Sequence, residues 1–377
     1  MNGTAIVARI ARSVGELPAA EWDALAGGNP FISHAFLSAM EDSGSVGPGT
    51  GWSPAPIAIH DSQGRLAAAL PAYLKGHSQG EYVFDHAWAD AWERAGGAYY
   101  PKLQIAAPFT PASGPRLLLA DPALATPLLR AAEQLCEGNG LSSAHATFVE
   151  PAQVALFEAA GWLIRSDIQF HWHNRGYASF EDFLADLSSR KRKDLRKERA
   201  AAQNGVTIRH LRGAEIRPAH WDAFWLFYQD TGSRKWGQPY LTREAFTLLG
   251  ERLGEALLLV LAEIEGQAVA GALNVIGPDA LYGRYWGTLV EKPFLHFELC
   301  YYQAIDAAIA LGLGRVEAGA QGPHKLARGY EPVQTWSAHY IADPGFRAAV
   351  ADFLERERRG VAMDQAFLAE RLPFRKS

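Results

Sequence analysis

The sequence predicts an α/β fold with mixed sheets, built as two tandem copies of one unit, and three observations carry that prediction. Landmark segments recur in the same order along the 377 residues. Each copy holds both helix-period and strand-period apolar runs. Gly-containing turns separate apolar runs at matching places in both copies. The chain is 48% apolar and 20% charged, against about 45–50% and about 25% for ordinary globular domains. That composition excludes disorder, a coiled coil and a collagen-like rod, and the length suits two domains with real cores. We place them at residues 1–175 and 176–377, the first with an aromatic insertion at about 78–119.

Each copy opens on a helix entry. Trp22-Asp23-Ala24, after Pro18-Ala19, returns as Trp221-Asp222-Ala223 after Pro218-Ala219. Asn29-Pro30-Phe31-Ile32-Ser33 returns as Gln238-Pro239-Tyr240-Leu241-Thr242, with Ser33 and Thr242 placed to cap the next helix. A hairpin follows in each copy. The first runs from Pro56 to His60 and from Arg65 to Leu74, the second from Leu257 to Glu263 and on through Ile276. Apolar helices then span Leu128 to Cys136 and Leu299 to Leu311, each followed by a strand ending at Glu150 or near Glu317. Gly161-Trp162 pairs with Gly329-Tyr330, and His171-Trp172 with His339-Tyr340, at one constant spacing. Between the copies, Ser179 with Asp182 reads as a capping box, and Phe180, Phe183, Leu184 and Leu187 form an apolar stripe. One long helix is expected there, running into the basic stretch Arg190 to Arg199.

The balance of charge argues against a protein that coats nucleic acid: 36 Lys and Arg against 41 Asp and Glu give a net charge of −5. Cys136 and Cys300 are the only cysteines, too few for a disulfide framework or a zinc site. The N-terminus lacks a signal-peptide core and no run reaches the roughly 20 apolar residues of a membrane span. The expectation is a cytoplasmic protein. His171-Trp172-His173 has no cysteine or carboxylate cluster beside it, so no metal is expected. No nucleophile elbow, Walker-type loop or Cys-x-x-Cys is present.

Leu156 to Trp162 and Lys325 to Tyr330 resemble the late helix and Gly-aromatic turn of the GNAT acyltransferase fold. The doubled arrangement around a basic helix resembles the FemAB-like group, which carries two GNAT-type domains in tandem. The match extends through Tyr82 to Ala91, Tyr99 to Leu103, Pro108 to Pro111, Arg234 to Gly237, Arg284 to Gly287 and Glu317 to Lys325. It is closest to the bacterial N-acyltransferases labelled peptidoglycan biosynthesis or recognition proteins. The resemblance implies transfer of an acyl or aminoacyl group to an amine of a small molecule or peptide. Acyl-CoA and aminoacyl-tRNA are the candidate donors, and no tightly bound cofactor is implied. GNAT enzymes that use acetyl-CoA carry a Gln/Arg-x-x-Gly-x-Gly/Ala loop whose backbone N–H groups hold the pyrophosphate. Here Gly287 to Phe294 lacks it, which turns the expectation toward tRNA.

Acyl transfer to an amine needs a proton acceptor, oxyanion donors and an acid for the leaving group. Glu317, His324 and Lys325 are the catalytic candidates, with Gln321 and Arg328 beside them. Alternation along the strand puts Tyr282, Arg284 and Trp286 on one face and Tyr285 on the other. Arg284, Tyr285, Trp286, Lys235 and Trp236 are read as substrate-binding, with His296 and Glu298 as supports. Asp85, Trp88, Tyr100 and Lys102 of the insertion would wall a cleft. Arg190, Arg192, Lys193 and Arg196 would meet phosphates; a solvated helix face is the plainer reading of that run. A binding module of the same fold, or a CoA-dependent acetyltransferase with an unusual pyrophosphate site, are the alternatives.

Overall fold

The computed structural model describes residues 6–235, 239–319 and 322–375. The chain divides into two compact units, one made of the residues up to Asp167 with Gln334–Met363, the other of Ile168–Val333 with the residues from Asp364 on.

In the first unit, strands β1 (Ala8–Ile10), β2 (Trp52–Pro54), β3 (Ile57–His60), β4 (Leu66–Leu70), β5 (Ala72–Lys75), β6 (Lys102–Ile105), β7 (Leu118–Leu119) and β8 (Ser143–Val149) build two sheets. One has the order β1-β3-β4-β7; the other runs β8-β6-β5-β2, with β6 and β8 parallel. The single strand expected from Arg65 to Leu74 is broken in two. Pro71 has no N–H to donate to a ladder, so Leu70 ends in one sheet and Ala72 starts in the other. Helices α1 (Ala19–Ala26), α2 (His34–Asp42), α3 (His86–Arg94), α4 (Ala125–Asn139) and α5 (Pro151–Ala159) complete this part. Ser33 caps α2 as expected, accepting from Phe36 N at 3.1 Å. On α4, Leu128, Leu129, Ala132 and Cys136 are buried with Leu103, Ile105, Ala144 and Ala146 of the sheet. The segment read as an insertion is integral: it supplies α3, β6 and β7, and β6 lies between β5 and β8.

Strand β9 (Leu163–His173) carries the chain into the second unit. Here the expected long helix is two, α6 (Phe180–Asp186) and α7 (Ser189–Gln203). Ser179 does cap α6, accepting from Asp182 N at 3.1 Å. The break follows from burial. Leu187 turns to an extended conformation, bridges to Phe374 and is fully buried, while Ser188 N donates to Pro373 O at 2.9 Å.

The sheet of this unit consists of β10 (Thr207–Arg212), β11 (Leu257–Ile264), β12 (Gln267–Ile276), β13 (Ala280–Thr288) and β14 (Arg315–Glu317), ending on β9, and helices α8 (Pro218–Lys235) and α9 (Arg243–Leu253) lie between β10 and β11 in the chain. The β11–β12 turn is short because Glu265 and Gly266 both take positive φ, 51° and 76°, the form that matches strand twist. Helix α8 lies close on the sheet: a Cβ on Gly287 would meet Phe227 O at 2.0 Å. Against the opposite face pack α6, α7 and a continuous helical stretch, α10 (Leu295–Phe297), a π-helical turn at Glu298–Tyr302 and α11 (Gln303–Ala310). Gly329 keeps its landmark place for a reason of space and conformation: its φ is 83°, and a Cβ there would meet the Phe183 ring at 2.7 Å.

Strand β15 (Glu331–Ile341) then returns to the first unit, pairing antiparallel with β8 from Trp336 to Ile341, and α12 (Pro344–Ala369) buries Phe346, Val350 and Leu354 with Trp88 and Tyr99. The division is therefore interleaved rather than linear at residue 175. Among the described residues, no helix is long and apolar enough to cross a membrane.

Where β15 meets β8, the Nδ1 atoms of His145 and His339 lie 2.7 Å apart, so one ring donates to the other. Burial pushes the His145 pKa down to about 3 and that of His339 well below its usual value. Both folded pKa values lie below the unfolded one, so protonation favours the unfolded chain. Their contribution is present above pH 6.5 and is lost as pH falls toward about 3. Urea midpoints measured across that range should decline with falling pH, and less steeply for His339→Asn.

Candidate active site

The site of the second unit begins with an irregularity. Leu273 pairs with Tyr285 and Asn274 with Gly283, which leaves Arg284 as the extra residue of a β-bulge. Parallel pairing of β13 with β14 covers only Ala280–Tyr282 against Arg315–Glu317. Beyond it the strand ends line a cavity of about 180 Å³, with Gly283 to Trp286 on one wall and Ala318 and Gly319 on another. His296, Cys300 and Tyr301 reach it from the helical side.

The expected split of Tyr285 from Trp286 holds, but the alternation fails across the bulge, since Leu281 and Trp286 join the same core cluster. Tyr285 packs against Tyr228 and Phe246, with ring centroids 5.5 and 6.1 Å away, whereas Trp286 packs against His296 at 4.9 Å. The Arg284 guanidinium lies 5.3 Å over the Tyr285 ring. An extra residue on one strand shifts the following side chains by one face, which simple period-2 reading cannot see.

Lys325 is the most deeply placed of the three catalytic candidates, 1% exposed, with Nζ donating to Gly319 O at 3.0 Å. Burial brings its ammonium down to about 8, opposed by the nearby Cys300 thiol. His324 is exposed, and its Nε2 lies 2.9 Å from the Tyr301 hydroxyl. Glu317 ends β14 as expected and is 4% exposed; it accepts from Arg315 Nε at 2.9 Å, and its Oε2 lies 3.8 Å from His171 Nε2. Burial raises the Glu317 carboxyl above its usual range against the pull of Arg315. None of the three is among the residues lining the cavity: Lys325 is tied to its wall through the Gly319 carbonyl, while His324 and Glu317 are held by Tyr301 and Arg315.

Glu298, expected to support substrate, anchors helices. It is fully buried and accepts from Arg199 at 3.1 Å, Gln203 at 2.8 Å and Gln303 at 2.6 Å, while Arg199 also donates to Asp306 at 2.6 Å. Arg328 donates to Glu198 at 2.8 Å and lies 3.5 Å over the Phe297 ring. Of the expected phosphate contacts on α7, Arg190, Lys193 and Arg196 are exposed, Arg192 is half-buried, and Arg196 pairs with Glu181 at 2.5 Å. It is Lys191 and Lys197 that line a second cavity, of about 230 Å³, with Asp194, Glu198, Phe294 and Arg328. Helical spacing of Lys191, Asp194 and Glu198 was the signal for that face. Trp236 and Gln321 lie outside the described residues, and Lys235 is placed only as the end of α8.

Asp85, Trp88, Tyr100 and Lys102 come together in the first unit, in its interior. Lys102 is fully buried and its Nζ donates to Glu81 at 2.7 Å, Asp85 at 2.5 Å and Ser78 at 2.8 Å. Tyr99 donates to Asp85 at 2.6 Å, Tyr100 and Ser78 share a hydrogen bond of 2.8 Å, and Trp88 sits edge-on to His339 at 4.9 Å. Burial would raise the Asp85 carboxyl, but the Lys102 ammonium holds it well below the carboxylate range. Burial dominates at their neighbours and takes Glu81 up to about 7 and Lys75 down to about 7. Among the described residues, no group of three or more His, Cys, Asp or Glu could hold a metal.

The family model for FemAB-like proteins, described as peptidoglycan biosynthesis/recognition, matches residues 13–376. Among solved structures, FemX is similar with a TM-score of 0.55 at 14% identity, over 88% of this chain and 98% of that one. L-PGS from Bacillus licheniformis is similar with a TM-score of 0.50 at 12% identity, over 84% and 95%. No curated protein matches the sequence. These likenesses carry the fold, and its mixed α/β type is what the sequence predicted.

Arg199→Ala would strand the buried Glu298 carboxylate, which should cost about 3–5 kcal/mol. Glu298→Gln keeps an acceptor for Gln203 and Gln303 and should cost less; urea denaturation of both variants measures the order.

Proposed function

The chain belongs to the FemAB-like family, and from that membership and the cavity at the diverging strand ends we propose that it transfers an acyl or aminoacyl group to a substrate amine. The observation that carries the reading is the buried Lys325 ammonium, which donates to the carbonyl of Gly319, a residue of that cavity's wall. An acyl carbonyl lying between the ends of β13 and β14 would develop an oxyanion on attack by the amine. A cation with few water neighbours stabilises such charge far more than a solvated one does. Lys325 then protonates the leaving oxygen or sulfur, the new C–N bond replaces the broken C–O or C–S bond, and His296 takes the proton of the attacking amine. Arg284 holds an anionic part of donor or acceptor.

For the donor we favour aminoacyl-tRNA. The pyrophosphate loop is missing from the sequence, and Lys191, Lys197 and Arg328 offer cations at the second cavity. The acceptor class we favour is an amine of a cell-wall precursor, in keeping with the family's description. Cytoplasmic precursors are the matching pool.

The test is turnover and binding together. Melting temperature would be followed with acetyl-CoA, charged tRNA and nucleotide-linked wall precursors, and amide product measured with the donor that binds. Lys325→Ala should lose about a hundredfold or more in kcat while keeping its fold. An ammonium acid works while protonated, so wild-type kcat should be full below about pH 8 and fall above it. A ligand-dependent shift with no product from any donor would replace this reading with a binding module; full activity in Lys325→Ala would remove the mechanism.

A further inference from the structure

The same cavity contains a group that the direct-attack mechanism does not use. Cys300 sits in the middle of the π-helical turn Glu298–Tyr302, whose other four residues are buried. It alone in that turn keeps partial exposure, and it lines the cavity beside His296 and Gly319. A π-helical turn widens the helix by one residue and changes which side chain a given position presents, and such turns are frequent at functional sites. Here it places Leu299 in the core and Cys300 at the cavity. The sulfur is in no disulfide, and the Lys325 ammonium is held on the carbonyl of Gly319, which lines the same cavity. A nearby ammonium in a partly closed site favours the thiolate form of a cysteine. Cys136 is a contrast within the same chain: it is buried under α4, donates to Ser143 O and is pushed up to about 12 by burial.

We propose that Cys300 is an acyl-accepting nucleophile, so that transfer at this cavity passes through a thioester on the enzyme. The proposal rests on the acyltransferase reading and deepens it. In the first half, the Cys300 thiolate attacks the donor carbonyl carbon, a C–S bond forms, the donor's ester C–O bond breaks, and the departing alkoxide takes a proton from the Lys325 ammonium. In the second half, the acceptor amine attacks the thioester carbonyl, a C–N bond forms and the C–S bond breaks. The thiolate leaves, and the amine's proton returns to the neutral Lys325. Ester plus amine becomes amide plus alcohol, with both residues restored and no other reagent consumed. Splitting the reaction this way lets a large donor leave before the acceptor enters.

The experiment uses the full chain with p-nitrophenyl acetate as activated ester, then glycinamide as amine. The wild type should release a burst of about one equivalent of p-nitrophenolate and carry one acetyl group on the Cys300 peptide by mass spectrometry. Neutral hydroxylamine should remove that acetyl, as it does for a thioester and not for a lysine amide. Cys300→Ala should show neither burst nor labile acetyl while melting close to the wild type, and Cys300→Ser provides a second variant of nearly unchanged volume. Alkylation of wild-type Cys300 by iodoacetamide at neutral pH should slow about tenfold in Lys325→Met, the ratio for a thiol pKa raised by one unit. Equal labelling of wild type and Cys300→Ala, or acetyl found only as a stable amide on Lys325, overturns the proposal. Undiminished amide formation by Cys300→Ala overturns the covalent step and leaves acyl transfer standing. A discharged thioester on Cys300 with no amide product supports the nucleophile and counts against the transfer reading.

Discussion

Parallel strands satisfy each other's backbone groups only while they run side by side, and between β13 and β14 that ladder ends at Tyr282 and Glu317. From there the N–H and C=O groups facing the gap must meet something other than a neighbouring strand. On its other edge β13 stays paired to β12 through the bulge at Arg284, so it cannot swing across to close the opening. Ala318 and Gly319 turn away, and the left-handed φ of 77° at Gly319 makes that turn available without strain. The cavity, the exposure of Cys300 and the position of Lys325 beside the Gly319 carbonyl all depend on this early end to a short ladder.

The helical wall is held by a different kind of force. Glu298 is an ion taken out of water, and such a charge persists only when its partners are fixed. Arg199, Gln203 and Gln303 supply three donors from α7 and α11. Because Glu298 opens the π-helical turn, the same contacts that tie α7 to this stretch also determine how the turn presents Cys300 two residues later. The first unit uses the same principle at Lys102, where Glu81, Asp85 and Ser78 surround one ammonium. There the cluster joins segments distant in the chain and leaves no open wall.

What the sequence made legible was whatever depends on neighbours along the chain. The caps at Ser33 and Ser179, the strand ending at Glu317 and the glycine before Tyr330 all follow from local geometry, and all are where the pattern put them. What it concealed depends on distant partners. Leu187 breaks a helix that its own stripe favours because Phe374 and Pro373 arrive from the far end of the chain. The side-chain order along β13 turns on a bulge that β12 imposes. Lys102 and Asp85, both read as a cleft wall, are drawn inside by each other, a pairing that composition alone does not reveal. Cys300 looked like one more apolar helix position because a π-helical turn has no signature in residue periodicity.

The return of β15 to the first unit bears on how the protein is made. A ribosome releases the chain from its N-terminus, and domains usually fold in that order. Here β8 waits without its partner until Trp336 to Ile341 have been synthesised, after every strand from β10 to β14. An edge strand left open for that interval invites pairing with another chain. The second unit waits as well, because Leu187 and Ser188 meet Phe374 and Pro373 only when the last residues emerge. Cutting the chain at residue 175 would part β8 from β15, so neither piece would carry all the strands of its own unit.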